Sequence, residues 1–139
     1  MYIPKRFSLR ELLRSEVAEK AGWVDVPSFQ VVYNLSELCR LILDPIAIEY
    51  GRAVVVTSGW RSDRLNRAVG GVETSQHKVG LAADIRPLIM GDFKIFCDDI
   101  LELINQGKIV PDQVIIYRRR RFVHISWRNE PRKEIFYKE

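Results

Sequence analysis

The chain contains two histidines, His77 and His124, and each stands in a setting that suits a metal ligand. His77 lies in Ser75-Gln76-His77-Lys78-Val79-Gly80-Leu81-Ala82-Ala83-Asp84, and His124 in Phe122-Val123-His124-Ile125-Ser126-Trp127. Two imidazoles and the Asp84 carboxylate can hold one zinc ion and leave its fourth position to water, the arrangement of catalytic rather than structural zinc. The chemistry this set would support is hydrolysis, with water activated at neutral pH.

Such a set works only if the fold brings its members together. Between His77 and Asp84, Gly80 supplies backbone freedom and Ala82 and Ala83 leave room for close packing, so a loop histidine can fold back over a strand carboxylate. In Val123-His124-Ile125-Ser126-Trp127, alternation puts His124 and Ser126 on one face of a strand and the apolar residues on the other. His124 then points away from the apolar layer. An isolated histidine is more often a hydrogen-bonded core residue than a ligand, so the weight rests on the whole pattern.

The surrounding elements can be read from periodicity and end signals. Ser8-Leu9-Arg10-Glu11 fits a capping box that opens a short helix with Leu9, Leu12 and Leu13 on its apolar side. Leu35, Leu38, Ile42 and Ile46 mark a long amphipathic helix ending near Gly51, in which Pro45 is expected to introduce a kink. Ala53 to Thr57 is a short β-branched run that reads as a buried central strand, and Leu81 to Ile85 as a second strand carrying Asp84. Phe93, Phe96, Cys97, Ile100 and Ile104 describe another helix, stopped by Gly107. Three strands follow in close succession: Val114 to Tyr117, Phe122 to Trp127 and Glu134 to Tyr137. This order predicts an α+β fold, a mainly antiparallel sheet covered by helices, with residues 1–139 forming a single domain.

Bulk properties narrow the classes further. At 139 residues and 47% hydrophobic content, the chain can fill the core of one ordinary domain. No apolar run is long enough to span a bilayer, and Met1-Tyr2-Ile3-Pro4-Lys5-Arg6 lacks the apolar stretch of a secretory signal. The expectation is a soluble protein made in the cytoplasm, able to act on a cell wall if another device releases it. Cys39 and Cys97 sit in apolar helical patterns without Cys-x-x-Cys spacing and read as buried free thiols. The formal charge of +4 favours polyanionic partners without choosing among nucleic acid, anionic lipid and cell wall. Arg118 to Arg121 falls where a hairpin turn belongs. With few aromatics interleaved, it reads as a solvated turn before it reads as a nucleic-acid surface.

Ser75-x-His77-x-x-Gly80-x-Ala82-x-Asp84, preceded by Ser58-Gly59-Trp60-Arg61 and followed by Val123-His124-Ile125-Ser126, resembles the zinc D-Ala-D-Ala carboxypeptidase family. The small, phage-type single-domain members are the nearest in pattern. The likeness takes in Phe7 to Leu12, Leu43-Asp44-Pro45, Leu65 to Gly71 and Asp112-Gln113-Val114-Ile115. It implies a Hedgehog-like DD-peptidase fold, one zinc ion on His77, Asp84 and His124, and a peptidoglycan stem peptide as substrate. By the same resemblance Arg61 binds the carboxylate or carbonyl of that peptide, which its forked, permanently charged guanidinium suits. Ser75 would bond a metal ligand or the substrate.

One position departs from the pattern. Zinc peptidases need a carboxylate beside the metal to take a proton and pass it to the leaving amine. Relatives carry it three residues before the last histidine, here Arg121, or at the end of the preceding strand, here Ile116-Tyr117. Tyr117 thus occupies the expected acid position, and a phenol, whose reference pKa lies near 10, is a poor base at neutral pH. Glu73, Asp112 and Glu130 are the acids near enough in sequence to substitute. The expected function is a zinc-dependent peptidoglycan peptidase of carboxypeptidase or endopeptidase type. The alternative is a zinc-holding domain that has lost its base and binds wall peptides or a protein partner, as in the related Hedgehog signalling domain. Nucleic-acid binding through Arg118 to Arg121 is a distant third.

Overall fold

The computed structural model describes residues 1–139. Helix α1 (Leu9–Leu13) opens on the expected capping box: the Ser8 hydroxyl accepts from the Glu11 backbone N–H, and the Glu11 carboxylate accepts from the Ser8 N–H. Two short helices escaped the periodicity reading, α2 (Glu16–Ala21) and α5 (Asp63–Ala68). Neither is long enough to display a repeating apolar stripe. Both announce themselves only by their caps, Ser15 and Ser62, whose hydroxyls accept from the backbone N–H of Ala18 and Leu65.

The long helix is built from α3 (Phe29–Leu38), a π-turn at Cys39–Leu43 and α4 (Asp44–Tyr50), ending at Gly51 with φ 75°. The disturbance expected at Pro45 takes the form of a local widening just before it. Proline crowds the carbonyl four residues back, and a turn closed by Asp44 N–H donating to the Cys39 carbonyl gives that ring room. Helix α6 (Phe93–Asn105) follows the predicted stripe, with Phe96, Cys97, Ile100 and Leu103 buried. No helix is long and apolar enough to cross a membrane.

Five strands form one sheet: β1 (Val54–Ser58), β2 (Ala82–Pro87), β3 (Gln113–Tyr117), β4 (Phe122–Ser126) and β5 (Glu134–Lys138), in the order β1-β2-β4-β3-β5. Every pairing is antiparallel except that of β5 with β3, so the sheet is mainly antiparallel, as predicted. The prediction for Ala53 to Thr57 requires correction: β1 is an edge strand and only partly buried, whereas β2 and β4 are central. An apolar run reports desolvation, and β1 owes its desolvation to packing beside β2 and α1 rather than to a strand on each side. Arg118 to Arg121 forms the β3–β4 turn, with Arg121 at φ 56°.

The helices cover one face of the sheet. Ala83 and Ile85 of β2, Val114 and Ile116 of β3, and Val123 and Ile125 of β4 join Leu35, Leu38, Ile42, Leu43, Ile46, Phe96 and Ile100 in one apolar core. Cys39 and Cys97 lie in this core as free thiols, and burial pushes both pKa values up. Alternation therefore turns Asp84, Arg86, Gln113, Ile115, Tyr117, Phe122 and His124 to the other face, where all of them line a cleft of about 750 Å³.

Candidate metal centre and its cleft

The strand register assembles the centre. Asp84 of β2 stands opposite His124 of β4, and His124 stands opposite Ile115 of β3. A bulge between Val56 and Ser58 on β1 brings Ser58 opposite Asp84 on the other side. His77 comes from a 3₁₀ turn, Gln76–Val79, that lies just before β2. Gly80 ends that turn at φ 79°, and a Cβ there would stand 2.7 Å from the Val31 carbonyl oxygen. Backbone freedom and close packing thus both demand glycine at this point.

One ligand atom from each of His77, Asp84 and His124 lies within 4.8 Å of the others. The His77 Nδ1 sits 2.7 Å from the Gly59 carbonyl, which assigns the ring proton to Nδ1 and leaves a lone pair on Nε2. That Nε2 is buried without a hydrogen-bond partner, 3.3 Å from Asp84 Oδ1. Asp84 Oδ1 is also 2.9 Å from His124 Nδ1. A buried imidazole lone pair aimed at a carboxylate oxygen is a pair of acceptors facing one another, and a shared cation satisfies both. Two imidazole nitrogens and one carboxylate oxygen are a donor set that zinc accepts. Burial acts to raise the Asp84 pKa, but the hydrogen bond with His124 works the other way and the carboxyl is held well below the usual range.

Arg61 lies beside this group, its side chain largely buried. Its Nη2 is 3.6 Å from Asp84 Oδ2, its Nε donates to Ser58 Oγ at 3.1 Å and its Nη1 to Asn66 Oδ1 at 3.4 Å. Burial lowers the Arg61 pKa and the Asp84 charge works against that. A guanidinium nevertheless keeps its charge at any ordinary pH. Asn66 is buried on α5 and also donates to the Val72 carbonyl. At Gly71 a Cβ would come within 2.1 Å of Asn66 Oδ1, so Gly71 leaves the space in which Asn66 and Arg61 meet. Ser75 caps the 3₁₀ turn, its Oγ accepting from the His77 N–H at 3.2 Å, and so holds the backbone of His77 while lining the cleft.

The acids that the sequence offered as proton carriers, Glu73, Asp112 and Glu130, do not line the cleft. Asp112 is wholly buried and clamped by Arg132, whose Nη2 lies 2.8 Å from Oδ2, with Arg128 3.5 Å from Oδ1. Glu73 is exposed and pairs with Lys78 at 3.0 Å. Glu130 is exposed and, like those two, does not line the cleft. Tyr117 does line it, with its ring stacked on Phe122 at a centroid distance of 4.3 Å. Arg121 is exposed in the turn, its side chain outside the cleft wall. The acids lining the cleft are Asp84 and Glu16.

Glu16, Arg86 and Arg120 are cleft residues that sequence reasoning missed. Arg86 was legible by alternation, two positions after Asp84 on the same strand. Glu16 belongs to a helix too short to be seen, and only tertiary packing brings it to the cleft.

A mainly antiparallel α+β sheet carrying a His-Asp-His cluster on its open face, beside a buried arginine, defines a metallohydrolase-like architecture. The chain belongs to the Peptidase M15 family, whose model matches residues 5–126. This is a family of zinc peptidases, and it is the zinc D-Ala-D-Ala carboxypeptidase family that the four sequence blocks resemble. No curated protein matches the chain.

Proposed function

We propose that this protein is a zinc-dependent peptidoglycan peptidase that hydrolyses D-amino-acid peptide bonds, with His77, Asp84 and His124 holding one zinc ion. The observation that carries this reading is the buried, unpartnered Nε2 of His77 facing Asp84 Oδ1 at 3.3 Å. When bound, zinc would supply Lewis-acid polarisation of a carbonyl and a more acidic water. The Gly59 carbonyl keeps His77 in the tautomer that presents Nε2. Asn66 and Ser58 hold the Arg61 fork, which binds the peptide carboxylate or carbonyl and orients it over the cluster. Arg86 and Arg120 add positive charge to the same cleft, in keeping with an acidic stem peptide. Residues 1–139 act as one domain, made in the cytoplasm and reaching the wall after release, in the manner of phage lytic enzymes.

Glu16 is the cleft carboxylate other than Asp84, which is engaged by both histidines; it is exposed and pairs with Lys20 at 3.1 Å, so to take and return a proton it would have to leave that pair. Tyr117, at the position where relatives place the acid, would donate a hydrogen bond to an oxyanion rather than accept a proton.

The test is digestion of purified peptidoglycan with and without chelator, with released peptides identified by mass spectrometry. Chelator-sensitive release is the expected result. Zinc binding without any release would support the second reading, a wall-peptide-binding domain, which the tyrosine at position 117 favours. In that case Tyr117→Glu should produce cleavage where the parent has none.

A further inference from the structure

Strand β5 lies beyond the segment matched by the family model, and it forms one edge of the sheet. Its inner side is paired: the Glu134 N–H donates to the Asp112 carbonyl, and the Lys138 carbonyl accepts from the Arg118 N–H. In an extended strand the N–H and C=O groups alternate sides with period two, so those of Ile135 and Tyr137 point outward from the sheet. They meet no other strand. Natural edges are guarded by proline, bulges or inward-pointing charges. β5 has no proline or bulge, and between its terminal charges, Glu134 and Lys138, it exposes Ile135, Phe136 and Tyr137 by 41%, 44% and 51%.

The sequence of β5 is Glu134-Ile135-Phe136-Tyr137-Lys138. It reads as its own antiparallel complement. Centred on Phe136, a second copy would set Glu134 opposite the partner's Lys138 and Lys138 opposite the partner's Glu134, while the two Phe136 rings meet at the two-fold axis. In that register Ile135 and the partner's Tyr137 form the hydrogen-bonded pair, using the very N–H and C=O groups that point outward. The register on β3 puts Glu134, Phe136 and Lys138 on the cleft face, since they stand opposite Gln113, Ile115 and Tyr117. Both ion pairs and the phenylalanine pair therefore share one face. Ile135 lines a cavity of about 170 Å³ with Ile104, Ile109, Val110 and Pro111, bordered by Lys133 and Glu134. The partner's Tyr137 would lie beside Ile135, at the mouth of this cavity.

We infer that β5 is a self-pairing edge, through which two copies of this chain join their sheets antiparallel into one continuous sheet with both clefts opening on the same side. The test is sedimentation equilibrium of the full chain over a range of concentration. The expected result is a mass rising from 16.2 kDa toward twice that value. Glu134→Lys and Lys138→Glu each set like charges opposite one another in both pairs and should weaken the homodimer roughly tenfold or more. Mixing the two single variants should restore a dimer, because each then supplies the charges the other needs, and the double variant E134K/K138E should dimerise alone. A wild-type chain that stays monomeric up to about 0.2 mM would overturn the inference, as would a dimer indifferent to the single variants. These measurements are independent of zinc and of peptide hydrolysis.

Discussion

The two faces of the sheet are made from the same strands and obey opposite rules. On the helix-covered face, Ala83, Ile85, Val114, Ile116, Val123 and Ile125 are buried in a continuous apolar layer with no ionisable side chain among them. One residue away along each strand, Asp84, Arg86, Tyr117 and His124 turn to an open cleft, where the Nε2 of His77 is buried without a partner. The packed face supplies stability through area removed from water. The open face concentrates donors and charges that would be better satisfied by a ligand than by each other. Function has been placed where the fold can tolerate unsatisfied groups because the opposite face over-determines the strands beneath them.

The sharpest test of that division is to remove one member from each face. Asp84→Ala should abolish stoichiometric zinc binding, measured by metal analysis, and with it any peptide hydrolysis. His77→Ala should likewise lose the metal, and equal zinc in this variant and the parent would remove the proposed centre. On the other face, Phe96→Ala empties a wholly buried ring site that Tyr50 meets edge-on at 5.3 Å. Its expected cost is about 3–5 kcal/mol in denaturant unfolding. Zinc affinity should be preserved in whatever fraction remains folded. If Phe96→Ala lost zinc while still folded, the two faces would be coupled and the comparison would fail.

Gly59 tests the boundary between them. A Cβ there would stand 2.1 Å from the Leu12 carbonyl oxygen, a backbone atom of α1 that cannot give way cheaply. The same glycine carries the carbonyl that orients His77. Gly59→Ala should therefore destabilise by about 1–3 kcal/mol. It should also weaken zinc binding by roughly 10- to 100-fold, as loss of a ligand-orienting partner does. A stability loss with unchanged zinc affinity would show that the carbonyl is not what orients the ring.

The smallest expected effect is electrostatic. Burial acts to raise the Asp112 pKa, but its hydrogen bonds and charge pairing with Arg132, helped by Arg128, prevail and hold the carboxyl below the usual carboxylate range. A depressed native pKa stabilises the fold above the unfolded-state value, and the contribution is lost as pH falls through the native one. Asp112→Asn should therefore lower stability at neutral pH and flatten the acid limb of a stability profile. Zinc binding at pH 7 should not change. A profile that runs parallel to the parent's would mean that Asp112 carries no acid sensitivity.

How much of this was legible varied with the range of the interaction that decides it. The cap at Ser8 and Glu11, the stripe of α6 and the alternation around His124 are local, and the structure follows them. The place of β1 at an edge was not legible, because a run such as Val54-Val55-Val56 records how dry a strand is and not how many neighbours it has. Pro45 signalled a disturbance, but whether the chain would bend or widen depended on packing of Cys39 to Leu43 in the core. Helix α2 carried too few turns to show a period, so Glu16, the one acid on the cleft wall beyond Asp84, could not be foreseen.

Residue identity and spacing alone determined that this chain has a His-Asp-His set beside an arginine and carries Tyr117 and Arg121 near the last histidine, because those are statements about which residues exist. Only the tertiary structure decided which atoms meet. It put the Nε2 of His77 3.3 Å from Asp84, withdrew Asp112 into a clamp of arginines and left β5 open along its outer edge. Each of those outcomes depends on strand register and packing between segments far apart in the chain, which no local pattern encodes.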